Sequence, residues 1–254
     1  SAASDVYKRQ IQSRVKELLD ENEIAKAANR PKITELKVSF SRDGFHWDRP
    51  YRDAFIPATR VPGSWDRGYV QSVGGICTVV GDQLRFYYIG FKGGDSSSYM
   101  HSNGATGMAT LRRDGFASMS TTGEGSLTTH PVKFSGKYMF VNVNCPAGEL
   151  KVEILDKNNK VIDGFSADKC KAVTIDSTIQ QVEWNGASDL SSLAGQEVRF
   201  RFKLKNGDLY AFWVSPSTNG ESNGYVAGGG PGYTSNKDTE GKKAYEKASG
   251  FQKF

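Results

Sequence analysis

Ser41-Arg-Asp-Gly-Phe-His-Trp47 and Arg112-Arg-Asp-Gly-Phe-Ala-Ser118 are two copies of one short motif, and their reading decides the fold. Each follows an alternating stretch, Leu36-Lys-Val-Ser-Phe40 in the first case and Thr106-Gly-Met-Ala-Thr-Leu111 in the second. An Asp-Gly pair behind such a stretch is a strong hairpin signal, because both turn residues tolerate positive φ. In the first copy the side chains of Ser41 and Asp43 are placed to hydrogen-bond the backbone around Gly44, while Trp47 folds back under the turn. Asp114 and Gly115 hold the matching places in the second copy. The two aspartates stand too far apart for a single hairpin and about one folded unit apart. Both look acidic and repeated, yet the turn role accounts for them.

Outward from these turns the chain reads as four regions. Ser1-Ala-Ala-Ser-Asp-Val-Tyr-Lys-Arg-Gln10 matches the translation of a transposase adaptor used in sequencing-library preparation, so residues 1–10 are set aside as a scar. On that reading the natural chain continues upstream of Ile11, and this is the C-terminal fragment of a longer protein. Residues 11–119 begin with a helical face at Ile11, Val15, Leu18 and Leu19, closed by Pro31. They then become strand-rich: Gly68 to Val80 and Gln83 to Gly90 read as two strands joined by a Gly81-Asp82 turn. A Gly/Ser loop from Gly93 to about Asn103 follows, and then the strand entering the second Asp-Gly turn. Together these make the strands of one propeller blade with part of another before it.

Residues 120–216 alternate cleanly in Glu149 to Asp156 and Glu197 to Lys205. Asn206-Gly207, the dipeptide preferred in type I′ hairpins, then precedes Leu209 to Val214. Regular short strands of this kind predict an antiparallel β-sandwich. The stripe Arg199, Arg201, Lys203, Lys205 reads as the solvated outer face of a strand in preference to a polyanion-binding row. Residues 217–254 are rich in Gly, Ser, Asn and Lys and read as a surface tail with a short helix near Glu240 to Ala248. The expected class is all-β: the terminal part of a propeller, then a sandwich, with a short N-terminal helix.

Composition narrows function by exclusion. A chain of 254 residues with 37% hydrophobic and 11% aromatic content can bury a sizeable core. The net charge of +5 is small, and no basic cluster interleaved with aromatics marks a nucleic-acid face. No apolar run approaches the ~20 residues of a membrane helix. Cys77, Cys145 and Cys170 lack metal-type spacing and read as small buried residues, with a Cys145–Cys170 pairing left open. His46, His101 and His130 are too scattered to suggest a metal site. Gly228-Gly-Gly-Pro-Gly232 lacks the Lys-Ser/Thr and the helix of a phosphate loop, so it reads as a flexible turn. No Gly-x-Ser-x-Gly elbow supports a Ser/His/Asp triad.

The Ser-x-Asp-Gly-x-x-Trp pattern resembles the outer-strand turn of β-propeller glycosidases and the Asp-box of sialidases. The stretch from Leu36 to about Gly232 resembles glycoside hydrolases of the family-32 kind, above all in Ser41 to Trp47, Gly63-Ser-Trp-Asp-Arg-Gly-Tyr-Val-Gln-Ser-Val-Gly-Gly75 and Tyr225-Val-Ala-Gly-Gly-Gly-Pro-Gly232. Families 32, 43 and 68 share a five-bladed propeller, and family 32 adds a C-terminal β-sandwich. The resemblance implies a secreted or periplasmic enzyme, extracellular in that sense, hydrolysing a glycosidic bond with two carboxylates and no cofactor. It implies a carbohydrate as the partner.

In that family the nucleophile and acid lie on earlier blades. No Asn-Asp-Pro-Asn, Arg-Asp-Pro or Glu-Cys match occurs here, so the catalytic pair is expected upstream of this fragment, which alone would be inactive. Residues that open an inner strand would line the funnel: Trp65 or Tyr69 stacking on sugar, Asp66, Arg67 and Gln71 hydrogen-bonding hydroxyls. The alternative is an Asp66–Arg67 loop with its own turn bonds and a core Trp65. Asp66 is also a weaker catalytic candidate. A non-catalytic carbohydrate-binding protein and a structural module remain open as rivals. A sialidase would need an arginine cluster and a Tyr–Glu pair that are not found. An open propeller exposes strand edges, so the isolated fragment is expected to aggregate.

Overall fold

The computed structural model describes residues 33–61, 63–74, 77–92 and 101–251. The adaptor reading of residues 1–10, the expected N-terminal helix and most of the Gly/Ser loop after Gly93 lie outside them. The described chain is all-β, built from antiparallel sheets with one short α-helix among the described residues. It divides into two compact units: one holds the residues up to Gly74 together with Tyr87–Ala109, the other Gly75–Phe86 and Thr110 onward.

In the first unit β1 (Phe40–Ser41) and β2 (Trp47–Asp48) pair across the first Asp-Gly turn, with Phe40 opposite Asp48 and Ser41 opposite Trp47. Next, β3 (Tyr69–Ser72) pairs with the second half of β5 (Gln83–Phe91), Tyr69 lying opposite Phe91. Val70, Ile56 and Ala58 are its buried apolar residues. The expected strand from Gly68 to Val80 is therefore not continuous. It breaks after Ser72 and resumes as β4 (Thr78–Val80), which pairs with the first half of β5 in the second unit. Gly81 takes φ +60° between Val80 and Gln83, as the first residue of a type II′ turn must, so the Gly81-Asp82 hairpin forms as expected.

The second Asp-Gly turn is not a hairpin. It joins β6 (Gly104–Arg112) to β7 (Met119–Thr128), but β6 pairs with β5 and β7 with β11 (Arg199–Ser215). A type I′ hairpin needs two residues at positive φ, and only Asp114 (φ +54°) supplies one. Asn206-Gly207 departs from expectation for the same reason. Asn206 alone has positive φ (+45°), and β11 runs through it as one strand of 17 residues. The pair acts as a bend.

The large sheet of the second unit follows from that bend. Its order is β10 (Asp176–Val182), β8 (Tyr138–Asn144), β11, β7, and β9 (Glu149–Leu155) also pairs with β11. Along one edge β11 meets β9 with residues Arg199 to Lys205 and then β8 with Asp208 to Ser215. Along its other edge it meets β7. So β8, the turn at Cys145–Gly148 and β9 run as one long bent partner of β11. Alternation places Met139, Val141 and Val143 of β8, Val152 and Ile154 of β9, and Phe200 and Phe202 of β11 in one apolar core with Trp184 and Phe165. Trp184 Nε1 donates to the Val152 carbonyl at 2.8 Å, so its buried polar atom is satisfied.

Residues 217–251 are not a surface tail. They cover the opposite face of β8 at Phe140, which is wholly buried. The Trp213 ring stacks on Phe140 at 5.6 Å and its Nε1 donates to the Gly220 carbonyl, while Lys242 Nζ lies 5.2 Å from the Phe140 ring. The helix α1 (Lys242–Ala248) forms where expected and buries Ala244 and Ala248. The Gly228–Gly232 run is no flexible turn either. Val79 N–H donates to Gly229 O and Gly228 N–H to Cys77 O, so the run adds to β4 as an edge. A Cβ at Gly230 would sit 1.7 Å from the Val79 oxygen, which is why glycine stands there. The segment carries no apolar period because glycine contacts and single polar anchors hold it.

Candidate functional site

Trp65 to Gly68 form a turn that leads into β3, whose first three residues are Tyr69, Val70 and Gln71, in the first unit. Asp66 is buried at 6% exposure and accepts hydrogen bonds from Thr59 Oγ1 (2.9 Å) and Ser64 Oγ (2.5 Å). The Thr59 and Arg60 amides donate to the carbonyls of Asp66 and Arg67, which closes the loop on itself. Asp66 thus points inward and its turn bonds leave it poorly placed for a catalytic carboxylate. Tyr69 lies edge-on to Phe91 (5.6 Å) and His101 (4.6 Å), so its ring is engaged within the unit.

Trp65 is different. It keeps 37% of its surface exposed while the other side of the ring lies on the strands below. A Cβ at Gly90 would stand 2.6 Å from Trp65 Cζ3, and one at Gly107 would stand 2.4 Å from Trp65 Cη2. Tyr88 backs the ring at a centroid distance of 5.5 Å. Two glycines therefore make a seat for an indole whose outer surface meets solvent. Arg67 and Gln71 are exposed. The stretch thus presents one half-exposed aromatic ring on the Gly90 face of β5, while Gln71, opposite Ile89, lies on the other face and Asp66 and Tyr69 serve the loop and the unit.

The first Asp-Gly turn forms with the chemistry its residues dictate. Ser41 Oγ accepts from Gly44 N–H at 2.8 Å, and Asp43 Oδ1 accepts from the amides of Phe45 (2.9 Å) and His46 (2.8 Å). Trp47 Nε1 donates to the Gly44 carbonyl at 3.0 Å, closing the turn from below. The His46 ring is solvent-facing, and its Nδ1 lies 2.5 Å from Asp43 Oδ2. The His46 side chain, then the His46 and Phe45 amides, hold the Asp43 carboxyl well below the usual carboxylate range. A depressed folded-state pKa contributes stability that is present above the unfolded value and lost as pH falls through the folded one. The Trp47 indole N–H resonance is therefore expected to stay unshifted through the ordinary aspartate range near pH ~4. It should move only in stronger acid. A Trp47 shift with a midpoint near 4 would mean that the turn does not hold Asp43.

Sequence reasoning missed a buried cluster in the second unit. Arg113, 7% exposed, sends Nη2 to Asp238 Oδ2 at 2.8 Å, and Asp238 is itself 1% exposed. The Gly241 amide (2.8 Å) and the Glu240 amide (3.2 Å) satisfy Asp238 Oδ1. Tyr233 and Tyr245 hold the guanidinium between them, with Arg113 Cζ 5.6 and 5.4 Å from the two ring centroids. Burial opposes the Arg113 charge, but Tyr245, Tyr233, Asp238 and Asp114 outweigh it and raise its pKa. Burial pushes the Tyr233 and Tyr245 hydroxyls up, so both are neutral beside a charged arginine. The only sequence hint was the Arg112-Arg113 doublet before Asp114-Gly115.

The other candidates resolve as structure. Arg201 and Lys203 pair with Glu153, and Lys205 with Glu124, so the basic stripe is a charge ladder across neighbouring strands. Cys77, Cys145 and Cys170 are free and buried, and burial pushes each thiol up. Cys145 and Cys170 are not bonded to each other. Among the described residues, no group of three His, Cys, Asp or Glu is arranged to hold a metal, and no helix is long and apolar enough to cross a membrane. Comparison with protein-family models, with curated proteins and with solved structures found no match to this chain.

Proposed function

We propose that this chain is the C-terminal part of a family-32-like glycoside hydrolase, made of the closing strands of a five-bladed β-propeller followed by a β-sandwich. Its share of the work is to hold the carbohydrate, with the carboxylate pair supplied by earlier blades. The enzyme would act outside the cytoplasm, as its resemblance to secreted hydrolases implies. The observation that carries this reading is the Trp65 ring, seated on Gly90 and Gly107 and partly open to solvent, with Arg67 exposed two residues further along the turn. An indole face stacks on the C–H face of a sugar ring while neighbouring polar side chains take its hydroxyls. The Asp-box-like turn at Ser41–Trp47 lends support as a propeller feature.

The bonds from Thr59 and Ser64 to Asp66 argue against Asp66 as a catalytic carboxylate, and the second reading is a non-catalytic carbohydrate-binding protein of the same architecture. Both versions make the same first prediction. In native gels cast with inulin or levan, the protein is expected to be retarded. Trp65→Ala and Arg67→Ala should each weaken that retardation, Trp65→Ala by roughly tenfold in dissociation constant. Arg67 is exposed, so its variant guards against misfolding as the cause. Retardation untouched by both substitutions would sink the Trp65 site. Hydrolysis of the bound polysaccharide by the full-length protein would then separate enzyme from binder.

A further inference from the structure

β6 is the outer strand of its sheet. Among the described residues β5 is its one strand partner, and no other segment exchanges backbone hydrogen bonds with Gly104 to Leu111. The Lys92 amide donates to the Asn103 carbonyl (3.3 Å) at one end of the pair, and the Arg113 amide to the Asp82 carbonyl (2.7 Å) at the other. These bonds lie equally far apart along both strands, so the ladder runs between them without a bulge. Gly104 against Phe91 and Gly107 against Tyr88 keep the same register. Hydrogen-bonded and non-hydrogen-bonded pairs alternate in an antiparallel ladder, so Ala105, Gly107 and Ala109 turn their N–H and C=O groups to β5. Gly104, Thr106, Met108 and Thr110 turn theirs to the open edge. Sheets ordinarily blunt such an edge with a charge, a proline, a bulge or a covering segment. From Gly104 to Leu111 there is neither charge nor proline. The contrast lies within the same protein. The register of β7 shifts opposite Asn206, and Thr121 Oγ1 takes up the Gly123 amide at 3.1 Å. Thr34 covers β3 by exchanging bonds with Gly68 and Val70.

Trp65 reaches the same edge. Its Cζ3 stands over Gly90 of β5 and its Cη2 over Gly107 of β6, so the half-exposed indole extends across the sheet to the last strand. We propose that β6 pairs antiparallel with β6 of a second copy of this chain, about a two-fold axis at Gly107. Thr106 then exchanges both backbone bonds with Met108 of the second copy, and Ala105 stands opposite Ala109. The two Gly107 Cα atoms come to about 4.5 Å, the spacing of a non-hydrogen-bonded pair. An axis at Gly107 brings the two indoles together and covers the exposed rim of each. A second copy fits this edge because every residue set opposite another is uncharged, so no like charges meet across the axis. Such an isologous pair uses up the edge in each chain and closes at a dimer. The pairing does not rest on carbohydrate binding by Trp65; where both occur, they compete for the ring.

Sedimentation of the full chain, with no carbohydrate present, is expected to show a monomer–dimer equilibrium between about 1 and 100 μM. In hydrogen exchange, rising concentration should protect the Thr106 and Met108 amides. Those of Ala105, Gly107 and Ala109, already bonded to β5, should not change. Thr106→Pro removes one edge donor from each copy and leaves the β5 ladder whole. Two lost bonds should raise the dissociation constant about thirtyfold. Met108→Lys, at an exposed position, carries the test should the proline variant fail to fold. A charge on the edge of each copy should raise the constant about tenfold or more. A monomer at every concentration, assemblies larger than a dimer, a dimer that leaves the Thr106 and Met108 amides unprotected, or a dimer equally strong in the folded variants would each overturn the inference. None of these readings involves a sugar, so they stand apart from the retardation of the Trp65 and Arg67 variants.

Discussion

Asp238→Ala is expected to cost the second unit about 3–5 kcal/mol of stability, read as a fall in the urea midpoint at neutral pH. Both members of the Arg113–Asp238 pair are buried, and removing the acid leaves a guanidinium that cannot shed its proton. The loss also frees the amides of Glu240 and Gly241 and the Ser222 hydroxyl, all of which donate to Asp238. Those groups hold the stretch leading into α1 beside Phe140. Hydrogen exchange should therefore show the damage first in residues 222–248, ahead of β8 and β11. The double variant Arg113→Met with Asp238→Leu should recover most of the loss, since two well-packed apolar side chains replace a desolvated pair at little cost. A loss below about 1 kcal/mol for Asp238→Ala would show that water reaches the pair.

That cluster also marks where sequence reading stopped. The Ser41–Trp47 and Gly81-Asp82 turns were legible because every bond that makes them lies within a few residues. Asn206-Gly207 and Asp114-Gly115 were read as the same object and are not. A dipeptide that permits a hairpin forms one only if the strands on either side of it pair with each other, and here those strands pair elsewhere or run on. β11 keeps going because the chain from β8 to β9 offers it a continuous edge. The covering segment from residue 217 was illegible for another reason. Its attachment depends on single long-range contacts, Asp238 with Arg113 and Trp213 with Gly220, which leave no period in the sequence. At the candidate site, residue types at Trp65 to Gln71 were visible, but not which of them faced outward. Gly90 and Gly107, which decide that for Trp65, lie far along the chain.

Gly148→Ala is the second large effect, and the bend in β11 is its cause. Gly148 ends the turn between β8 and β9, opposite Asn206-Gly207, and a Cβ there would stand 1.8 Å from the Lys205 carbonyl oxygen and 2.8 Å from that of Asn206. Both obstacles are backbone, so no rotamer change relieves them. From the facing side, a Cβ at Gly207 would meet the Asn144 carbonyl at 2.6 Å, so the two bent strands touch main chain to main chain. Separating them would break the Lys205–Glu149 and Asp208–Asn144 register pairs and loosen the core residues on either side, Cys145, Leu150, Leu204 and Leu209. The expected loss is at the top of the overpacking range, about 3 kcal/mol or more. Gly123→Ala is the matched control: it lies in β7, has no atom within 4 Å of its Cβ position and should change stability by less than about 0.5 kcal/mol. Thermal melts of the two variants side by side decide the point. Equal melting temperatures would mean that the corner yields to a methyl group, and the close approach of β8–β9 to β11 would then not be what fixes the bend.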